Sequence, residues 1–320
     1  LRDVSFSVDR GETLAIVGES GSGKSVTVQT IMKLIPMPPG EIKGGEIFFD
    51  GEDLVKVSDK KMMELRGGRI GMIFQDPMTS LNPTIKVGKQ IMEGILIHKK
   101  VSKAEAKAQA IEMLRKVGIP KPEERFNQYP HEFSGGMRQR AVIAIALSCE
   151  PDLLICDEPT TALDVTIQAQ ILELINKLKK ELNIAVILIT HDLGVVAETA
   201  DKVVVLYAGE KLEEAPVVEL FKNPKHPYTW GLLKSLPRLD MTSGEKLISI
   251  PGTPPDLLKP PAGDPFAARS EYAMKIDYER KPPMIDLGNG HLVKSWLYVD
   301  GAPKVESPFA NKNVDKKGDE

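Results

Sequence analysis

The chain has 320 residues, a formal net charge of −3 and 27% charged residues. This balance argues against a general nucleic-acid-binding protein, which usually shows a strong basic excess, and no apolar run approaches the roughly 20 residues that span a bilayer. The two cysteines, Cys149 and Cys156, both lie in apolar stretches. Two buried thiols make no disulfide framework, so we expect a reducing compartment.

The hydrophobic pattern predicts strands and helices in alternation over the first part of the chain. Residues 1–8 alternate apolar and polar side chains as a half-buried strand would, and the pair Asp50-Gly51 predicts the turn of a hairpin within 44–54. The strand at 70–74 is expected to stop before Pro77, which ends regular structure. Further strands are predicted at 13–17, 153–156, 185–190 and 203–207, and helices at 26–34, 86–117, 137–148 and 165–182.

Strands that alternate with helices indicate an α/β layered domain with a mainly parallel sheet. The helical stretch at about 76–148 interrupts this alternation and is interpreted as an inserted helical subdomain. From residue 223 the prolines crowd and the periodicity fades, which predicts an extended appendage over 223–310 after a domain at 1–222. The charged end, 311–320, is predicted to be disordered.

The strongest local signal is the stretch 18–25, which fits the phosphate-binding P-loop pattern G-x-x-x-x-G-K-[ST]. A predicted strand precedes it and a predicted helix follows it, which is the context that the motif requires. The glycines let successive N–H groups face one anion, and the helix directs the positive end of its dipole to the same place. Lys24 would reach the β- and γ-phosphates and Ser25 would hold Mg²⁺; the alternative is a simple Gly/Ser-rich turn.

A second signal is the apolar strand at 153–156, which delivers Asp157 and Glu158 at its carboxyl end. Ligands bind at this edge of α/β sheets. Asp157 suits the Mg²⁺ shell beside Ser25, and Glu158, which points elsewhere, can polarise a water for attack on the γ-phosphate. The alternative is an acidic turn at a strand end.

A hydroxyl and two glycines precede a helix in Ser134-Gly135-Gly136-Met137, which is a second anion site of the same physical type. One ATP does not need two such cradles from one chain. We therefore expect a dimer in which this loop closes over the nucleotide of a partner, the alternative being an ordinary capped helix. Gln75 and His191 each follow a strand; an amide at Gln75 can contact metal or water, and a neutral imidazole at His191 can hydrogen-bond the γ-phosphate.

In order and spacing, these motifs resemble those of an ABC ATPase over residues 1–220. The resemblance implies a P-loop NTPase fold with a mainly parallel sheet, an antiparallel β subdomain, an inserted helical subdomain and a C-terminal extension. It assigns coupling of the two nucleotide sites to Asp164 in the D-loop, and Mg²⁺ contact to Gln75 as well as to Ser25 and Asp157. The ATP contacts it implies are Gly18, Glu19, Ser20, Gly21, Ser22, Gly23, Lys24, Ser25 and Val26.

Further stretches are similar to the oligopeptide/dipeptide branch of this family, namely 75–83, 129–133, 159–166, 227–229, 250–255 and 264–269. The branch implies an ATPase subunit at the cytoplasmic face of the cell membrane that powers peptide import. Its partners would be a second related ATPase or a second copy of this chain, two transmembrane permease subunits and an extracellular or periplasmic substrate-binding protein, with no nucleic acid. Alternatives are import of nickel or other small solutes, a soluble ABC ATPase that acts on DNA or ribosomes, and a P-loop kinase.

The sequence departs from this branch in two places. The extension of the branch often carries four cysteines that bind an iron–sulfur cluster, and the matching positions here are Asp264, Ser270, Asp277 and Ser295. Carboxylates and hydroxyls are poor substitutes for thiolates, so no cluster is expected. The family also places an aromatic residue against adenine upstream of the first strand; none precedes Leu1, so we expect that residue in a preceding segment.

Overall fold

The computed structural model describes residues 1–161, 163–236 and 249–309. The strands are β1 (Thr13–Val17), β2 (Phe48–Phe49), β3 (Glu52–Asp53), β4 (Ile70–Ile73), β5 (Leu153–Asp157), β6 (Ala185–Ile189), β7 (Lys202–Tyr207), β8 (Glu210–Pro216), β9 (Met284–Asp286) and β10 (Leu292–Lys294). The helices are α1 (Lys24–Ile31), α2 (Asp59–Leu65), α3 (Pro77–Ser80), α4 (Val87–His98), α5 (Lys103–Lys116), α6 (Pro122–Arg125), α7 (Gly135–Leu147), α8 (Val165–Leu182), α9 (Leu193–Thr199), α10 (Val217–Lys222), α11 (Pro227–Lys234) and α12 (Lys275–Glu279).

The chain divides into two compact units. The P-loop unit comprises Leu1–Ser7, Leu14–Lys24 and His191–Glu320, and the helix-rich unit comprises Val8–Thr13 and Ser25–Thr190. The division into residues 1–222, 223–310 and 311–320 stays a prediction, and its last segment lies outside the described residues. No helix of the described residues is both long and apolar enough to cross a membrane.

Parallel strands form the buried centre of both units. In the helix-rich unit β4 pairs with β5 and β5 with β6, and in the P-loop unit β1 pairs with β7, all in parallel. Strands β1, β5 and β6 are buried along their whole length because nearly all of their side chains are apolar on both faces. The predicted α/β class with a mainly parallel sheet is confirmed.

The predicted hairpin is also present, in a shorter form. β2 and β3 pair in antiparallel fashion, Phe48 opposite Asp53, and form a separate two-stranded sheet. Asp50 and Gly51 both have positive φ, at 51° and 78°, which matches the twist of a two-residue hairpin turn. The paired strands occupy only Phe48–Phe49 and Glu52–Asp53 of the predicted stretch 44–54.

Several helix boundaries differ from the prediction. The stretch 86–117 is two helices, α4 and α5, because Ser102 and Glu105 form a capping box that begins α5. Pro77 begins the short helix α3 rather than ending regular structure, since proline is favoured at a first helical position. α7 begins at Gly135, two residues before the predicted start.

Both thiols, Cys149 and Cys156, are buried and free.

The strand predicted at 1–8 is wrong. Its alternation of side-chain exposure is present, but the backbone forms no ladder. Instead, the Arg2 N–H donates to Gly209 O at 2.8 Å, and the ammonium groups of Lys211 and Lys202 donate to Ser5 O and Ser7 O. Side chains therefore satisfy carbonyl groups that a neighbouring strand would otherwise bind.

The predicted appendage contains regular structure, because α11, α12, β9 and β10 lie within it, and β10 extends an antiparallel arrangement that begins before it with β7 and β8. β8 pairs with β7, β10 with β8 and β9 with β10, all in antiparallel fashion. β8 escapes prediction because Glu210, Glu213 and other charged residues give it the composition of a loop, although it is buried. Long-range partners contact these buried carboxylates: Lys294 Nζ lies 2.7 Å from Glu210 Oε2, and His291 Nε2 lies 2.7 Å from Glu213 Oε1.

A glycine substitution tests whether this region is a packed part of the chain. A Cβ added at Gly263 would lie 2.0 Å from Asp277 O, so Gly263→Ala forces the backbone apart there. We expect it to lower the free energy of unfolding by about 1–3 kcal/mol, visible as a lower Tm in calorimetry. Gly44→Ala is the control, because a Cβ there meets no atom within 4 Å; equal Tm values for the two variants would contradict the packing.

Candidate functional site

The P-loop lies between β1 and α1, as the sequence predicts. Gly18, Gly21 and Gly23 have φ of 150°, 78° and 102°, backbone conformations that side chains rarely allow. A Cβ at Gly18 would lie 2.1 Å from Leu206 O in β7, so the loop passes directly against that strand. The tight passage shapes the loop before the helix begins at Lys24.

Two side chains of the loop are suited to an anion. Lys24 is buried, and its ammonium group donates to Gly18 O at 2.8 Å and to Glu19 O at 3.1 Å. The Ser22 hydroxyl is also buried and has no hydrogen-bond partner among the described residues. A buried donor of this kind is stabilised when an acceptor arrives, and phosphate oxygens are strong acceptors. The loop therefore fits a phosphate group.

Ser25 and Asp157 lie together in the helix-rich unit. The Ser25 hydroxyl donates to Asp157 Oδ1 at 2.9 Å. Asp157 is the last residue of β5, and it is 4% exposed. A hydroxyl and a carboxylate oxygen are ligands that Mg²⁺ prefers. These two residues fit the metal role that the sequence suggests for them.

Glu158 follows in a left-handed conformation, with φ of 48°. Its N–H donates to Ile189 O at 3.0 Å, and its carboxylate accepts hydrogen bonds from the Gln75 amide at 3.1 Å and from the Thr161 hydroxyl at 3.0 Å. The change of backbone conformation after β5 thus gives the Glu158 carboxylate hydrogen-bond partners different from those of Asp157. Gln75 therefore contacts Glu158, the predicted general base. Its role as a Mg²⁺ ligand stays a prediction. Thr161 was not predicted as a site residue.

The loop 134–137 caps α7. The Ser134 hydroxyl accepts from the Met137 N–H at 3.3 Å, and Ser134 and Gly135 are both exposed. Gln139, in the first turns of α7, is buried and donates to Pro159 O at 2.6 Å, one residue after Glu158. The cap geometry is compatible with both predicted interpretations, an anion site and an ordinary helix start.

Asp164 and His191 occupy exposed positions at the ends of elements. The Asp164 carboxylate accepts from the Ile167 N–H at 2.9 Å and caps α8. His191 lies two residues after the end of β6 and begins the last segment of the P-loop unit. Val26 lies in the first turn of α1 and is 43% exposed. The roles of these residues stay predictions, as does that of the D-loop, whose Ala162 lies outside the described residues.

Glu19 in the P-loop makes contacts that the sequence did not indicate. Its carboxylate forms an ion pair with Arg269, at 2.6 Å and 3.0 Å, and its N–H donates to the Tyr228 hydroxyl at 2.8 Å. The carboxylate raises the pKa of the Arg269 guanidinium further above its ordinary value. A separation of 250 residues along the chain leaves no local pattern from which to infer this pair.

The four positions that match cluster cysteines each cap nearby backbone. Asp264 accepts from the Phe266 N–H, Asp277 from the Met274 N–H, and the two serines from N–H groups two residues ahead. Burial raises the pKa of Asp264 to about 7 and also raises that of Asp277. Within the described ranges no group of three or more His, Cys, Asp or Glu side chains is placed to hold a metal ion.

Comparisons with known proteins identify the family of the chain. The family described as "ABC transporter" matches residues 1–161, and "Oligopeptide/dipeptide transporter, C-terminal region" matches residues 212–276. The chain is 64% identical to the oligopeptide transport ATP-binding protein OppD of Bacillus subtilis, over 98% of this chain and 87% of the relative. It is 56% identical to the dipeptide transport ATP-binding protein DppD of Lactococcus lactis, over 95% of this chain and 87% of that relative.

Solved structures show the same fold. The ATP-binding cassette MJ0796, in a dimeric post-hydrolysis state bound to ADP and Pi, is 28% identical with a TM-score of 0.60 and covers 68% of this chain and 90% of its own. The cbiO1 protein of Clostridium perfringens, part of the ABC transporter complex cbiONQ, is 31% identical with a TM-score of 0.60. The match covers 69% of this chain and 83% of cbiO1. The chain therefore belongs to the ABC transporter family, and its C-terminal region is that of the oligopeptide/dipeptide transporters.

Proposed function

We propose that this chain is the ATP-hydrolysing subunit of a membrane transporter that imports dipeptides and oligopeptides. The observation that carries the proposal is the hydrogen bond from the Ser25 hydroxyl to Asp157 Oδ1 at 2.9 Å. Ser25 directly follows the P-loop lysine, and Asp157 directly precedes Glu158. Relatives at 64% and 56% identity are named for oligopeptide and dipeptide transport. The alternatives from the sequence, import of nickel or other solutes and a soluble ABC ATPase, become outcomes of the test below.

The P-loop would bind the ATP phosphates. Its N–H groups and the Ser22 hydroxyl supply donors, and Lys24 would exchange its bonds to Gly18 O and Glu19 O for bonds to the β- and γ-phosphates. Ser25 and Asp157 would hold Mg²⁺, with Gln75 beside them, and the bound ion would neutralise charge on the phosphates. Ser20, Gly21, Gly23 and Val26 complete the proposed contacts.

Hydrolysis would use Glu158 as the general base. Its carboxylate accepts from Gln75 and Thr161, so it is oriented before a water arrives. Gln75 and His191 would hold the water and the γ-phosphate. The proton removed from the attacking water goes to the Glu158 carboxylate as the new P–O bond forms and the bond to the ADP oxygen breaks.

A dimer completes the site in this proposal. The exposed cap residues Ser134 and Gly135, with Gly136 and Met137, would close over the ATP of a partner ATPase, either a related subunit or a second copy. Asp164 would couple the two sites. The inserted helices at about 76–148 would contact the permease subunits at the cytoplasmic face of the membrane, and the substrate-binding protein would supply the peptide.

We also propose that the extension holds no iron–sulfur cluster. Cluster ligation requires thiolates, and the side chains of Asp264, Ser270, Asp277 and Ser295 already accept backbone N–H groups. Iron analysis of protein purified without air should give less than about 0.1 iron atom per chain. A stoichiometric value near about four, with the absorbance of a cluster, would contradict this proposal.

The role of Glu158 is tested by Glu158→Gln, which keeps the shape and removes the base. ATP turnover should fall by about 10²–10⁴-fold while MgATP binding persists, because general-base catalysis contributes that much. The variant should also accumulate an ATP-bound dimer on gel filtration. Glu173→Gln, on the exposed side of α8, is the matched control. Undiminished turnover in Glu158→Gln would refute the assignment.

Peptide import is tested by reconstituting the chain in liposomes with its permease pair, partner ATPase and binding protein. We expect ATP-dependent uptake of a labelled dipeptide or pentapeptide that is lost with Glu158→Gln. ATP-driven uptake of Ni²⁺ without peptide uptake would favour the small-solute alternative. Failure to assemble with any membrane protein, with ATP-dependent binding to nucleic acid instead, would favour the soluble alternative.

A further inference from the structure

Glu19, the second residue of the P-loop, is held by two residues of the C-terminal region. Its two carboxylate oxygens pair with two nitrogens of the Arg269 guanidinium, at 2.6 Å and 3.0 Å. Its backbone N–H donates to the Tyr228 hydroxyl at 2.8 Å. All three residues belong to the P-loop unit. A bidentate pair of this kind fixes orientation as well as charge.

Arg269 is itself immobilised. Its Nε donates to Pro251 O at 2.8 Å, and its other nitrogens donate to Ile250 O at 3.3 Å and to the Tyr207 hydroxyl at 3.2 Å. The side chain is only 5% exposed, and the guanidinium carbon lies 5.7 Å from the centre of the Tyr207 ring. Glu19 is therefore tied to a rigid group that loses little further freedom in holding it.

Tyr228 is equally fixed. Its ring is fully buried and packs against Tyr207, with centroids 4.6 Å apart, and against Phe266 at 5.2 Å. The hydroxyl therefore offers an acceptor at a defined place to the first peptide N–H after Gly18. This contact holds the start of the loop, and Lys24, at the end of the loop, donates to the carbonyls of Gly18 and Glu19 and so joins the two ends.

The Glu19 charge would otherwise oppose the proposed ligand. A carboxylate in a loop that binds polyphosphate repels it, and the repulsion is strong where water is partly excluded. Arg269 supplies the compensating positive charge directly at that carboxylate. The extension also forms one wall of a cleft beside the loop, in which Pro254 and Pro255 face Ser20 and Gly21.

We propose that Arg269 and Tyr228 are positioning residues for ATP: they neutralise and orient Glu19 and hold the P-loop in its binding shape before the nucleotide arrives. This inference rests on the proposed function, and it gives a purpose to the stretches 250–255 and 264–269 that catalysis leaves unexplained. A preformed loop binds more tightly because less ordering remains to be done on binding.

The test is MgATP binding by the intact chain, measured by calorimetry, together with steady-state turnover. Arg269→Gln should weaken MgATP binding about tenfold and raise KM in parallel, while kcat at saturating ATP changes by less than about threefold. Tyr228→Phe keeps the ring packing and should weaken binding about threefold. Arg269→Lys should restore part of the affinity, and Arg280→Gln, an exposed arginine of the same extension, is the matched control.

A mutant cycle separates positioning from a folding effect. In the Glu19→Gln background there is no carboxylate to neutralise, so adding Arg269→Gln should change MgATP affinity by less than about twofold. Equal losses from Arg269→Gln in both backgrounds, or no loss in either, would overturn the inference while leaving the proposed function intact. A wild-type chain that neither binds nor hydrolyses MgATP would instead refute the proposed function, and the inference with it.

Discussion

The structure of the candidate site depends on one hydrogen bond, from the Ser25 hydroxyl to Asp157 Oδ1. Ser25 lies in the first turn of α1, and Asp157 ends β5, so the bond joins two elements that are 132 residues apart in sequence. It brings together the hydroxyl and the carboxylate that we propose as Mg²⁺ ligands, at the point where the next residue, Glu158, begins its turn. The left-handed backbone of Glu158, anchored by its N–H to Ile189 O, then directs the second carboxylate to Gln75 and Thr161. The two adjacent acids therefore have different hydrogen-bond partners, which is what their different proposed roles require.

Buried charge organises the C-terminal region. Glu210, Glu213 and Arg269 are each buried with a partner of opposite or titratable charge. Breaking one such pair leaves an uncompensated charge in the interior, which is costly, so these residues act together in holding β8, β10 and the loop after β1. Tyr207, Tyr228 and Phe266 pack together as an aromatic cluster, and the Arg269 guanidinium lies over the rings of Tyr207 and Phe266. The region is therefore packed against the P-loop within its unit and is not a loose appendage.

Much of the first part of the chain could be predicted from the sequence, because its signals are local. A glycine-rich loop between an apolar run and a helical repeat, or a strand that ends in two acids, is recognisable within ten residues. Prediction failed where long-range partners decide the structure. β8 has the composition of a loop, but partners about 80 residues away, such as Lys294 and His291, bind its buried carboxylates and allow it to be a buried strand. Residues 1–8 have the alternation of a strand, yet lysine side chains take the place of a neighbouring strand. The Arg269–Glu19 pair could not be predicted for the same reason, because its two residues lie 250 positions apart in the sequence.

If Arg269 and Tyr228 position the P-loop for ATP, the C-terminal region and the P-loop respond to ATP together. Hydrogen exchange of the backbone amides, measured with and without MgATP on the intact chain, tests it most directly. We predict that MgATP slows exchange in the P-loop at 18–25 and also at 250–255 and around Arg269, because Arg269 bonds to both segments. Slower exchange confined to the P-loop, with no change in the C-terminal segments, would contradict the account.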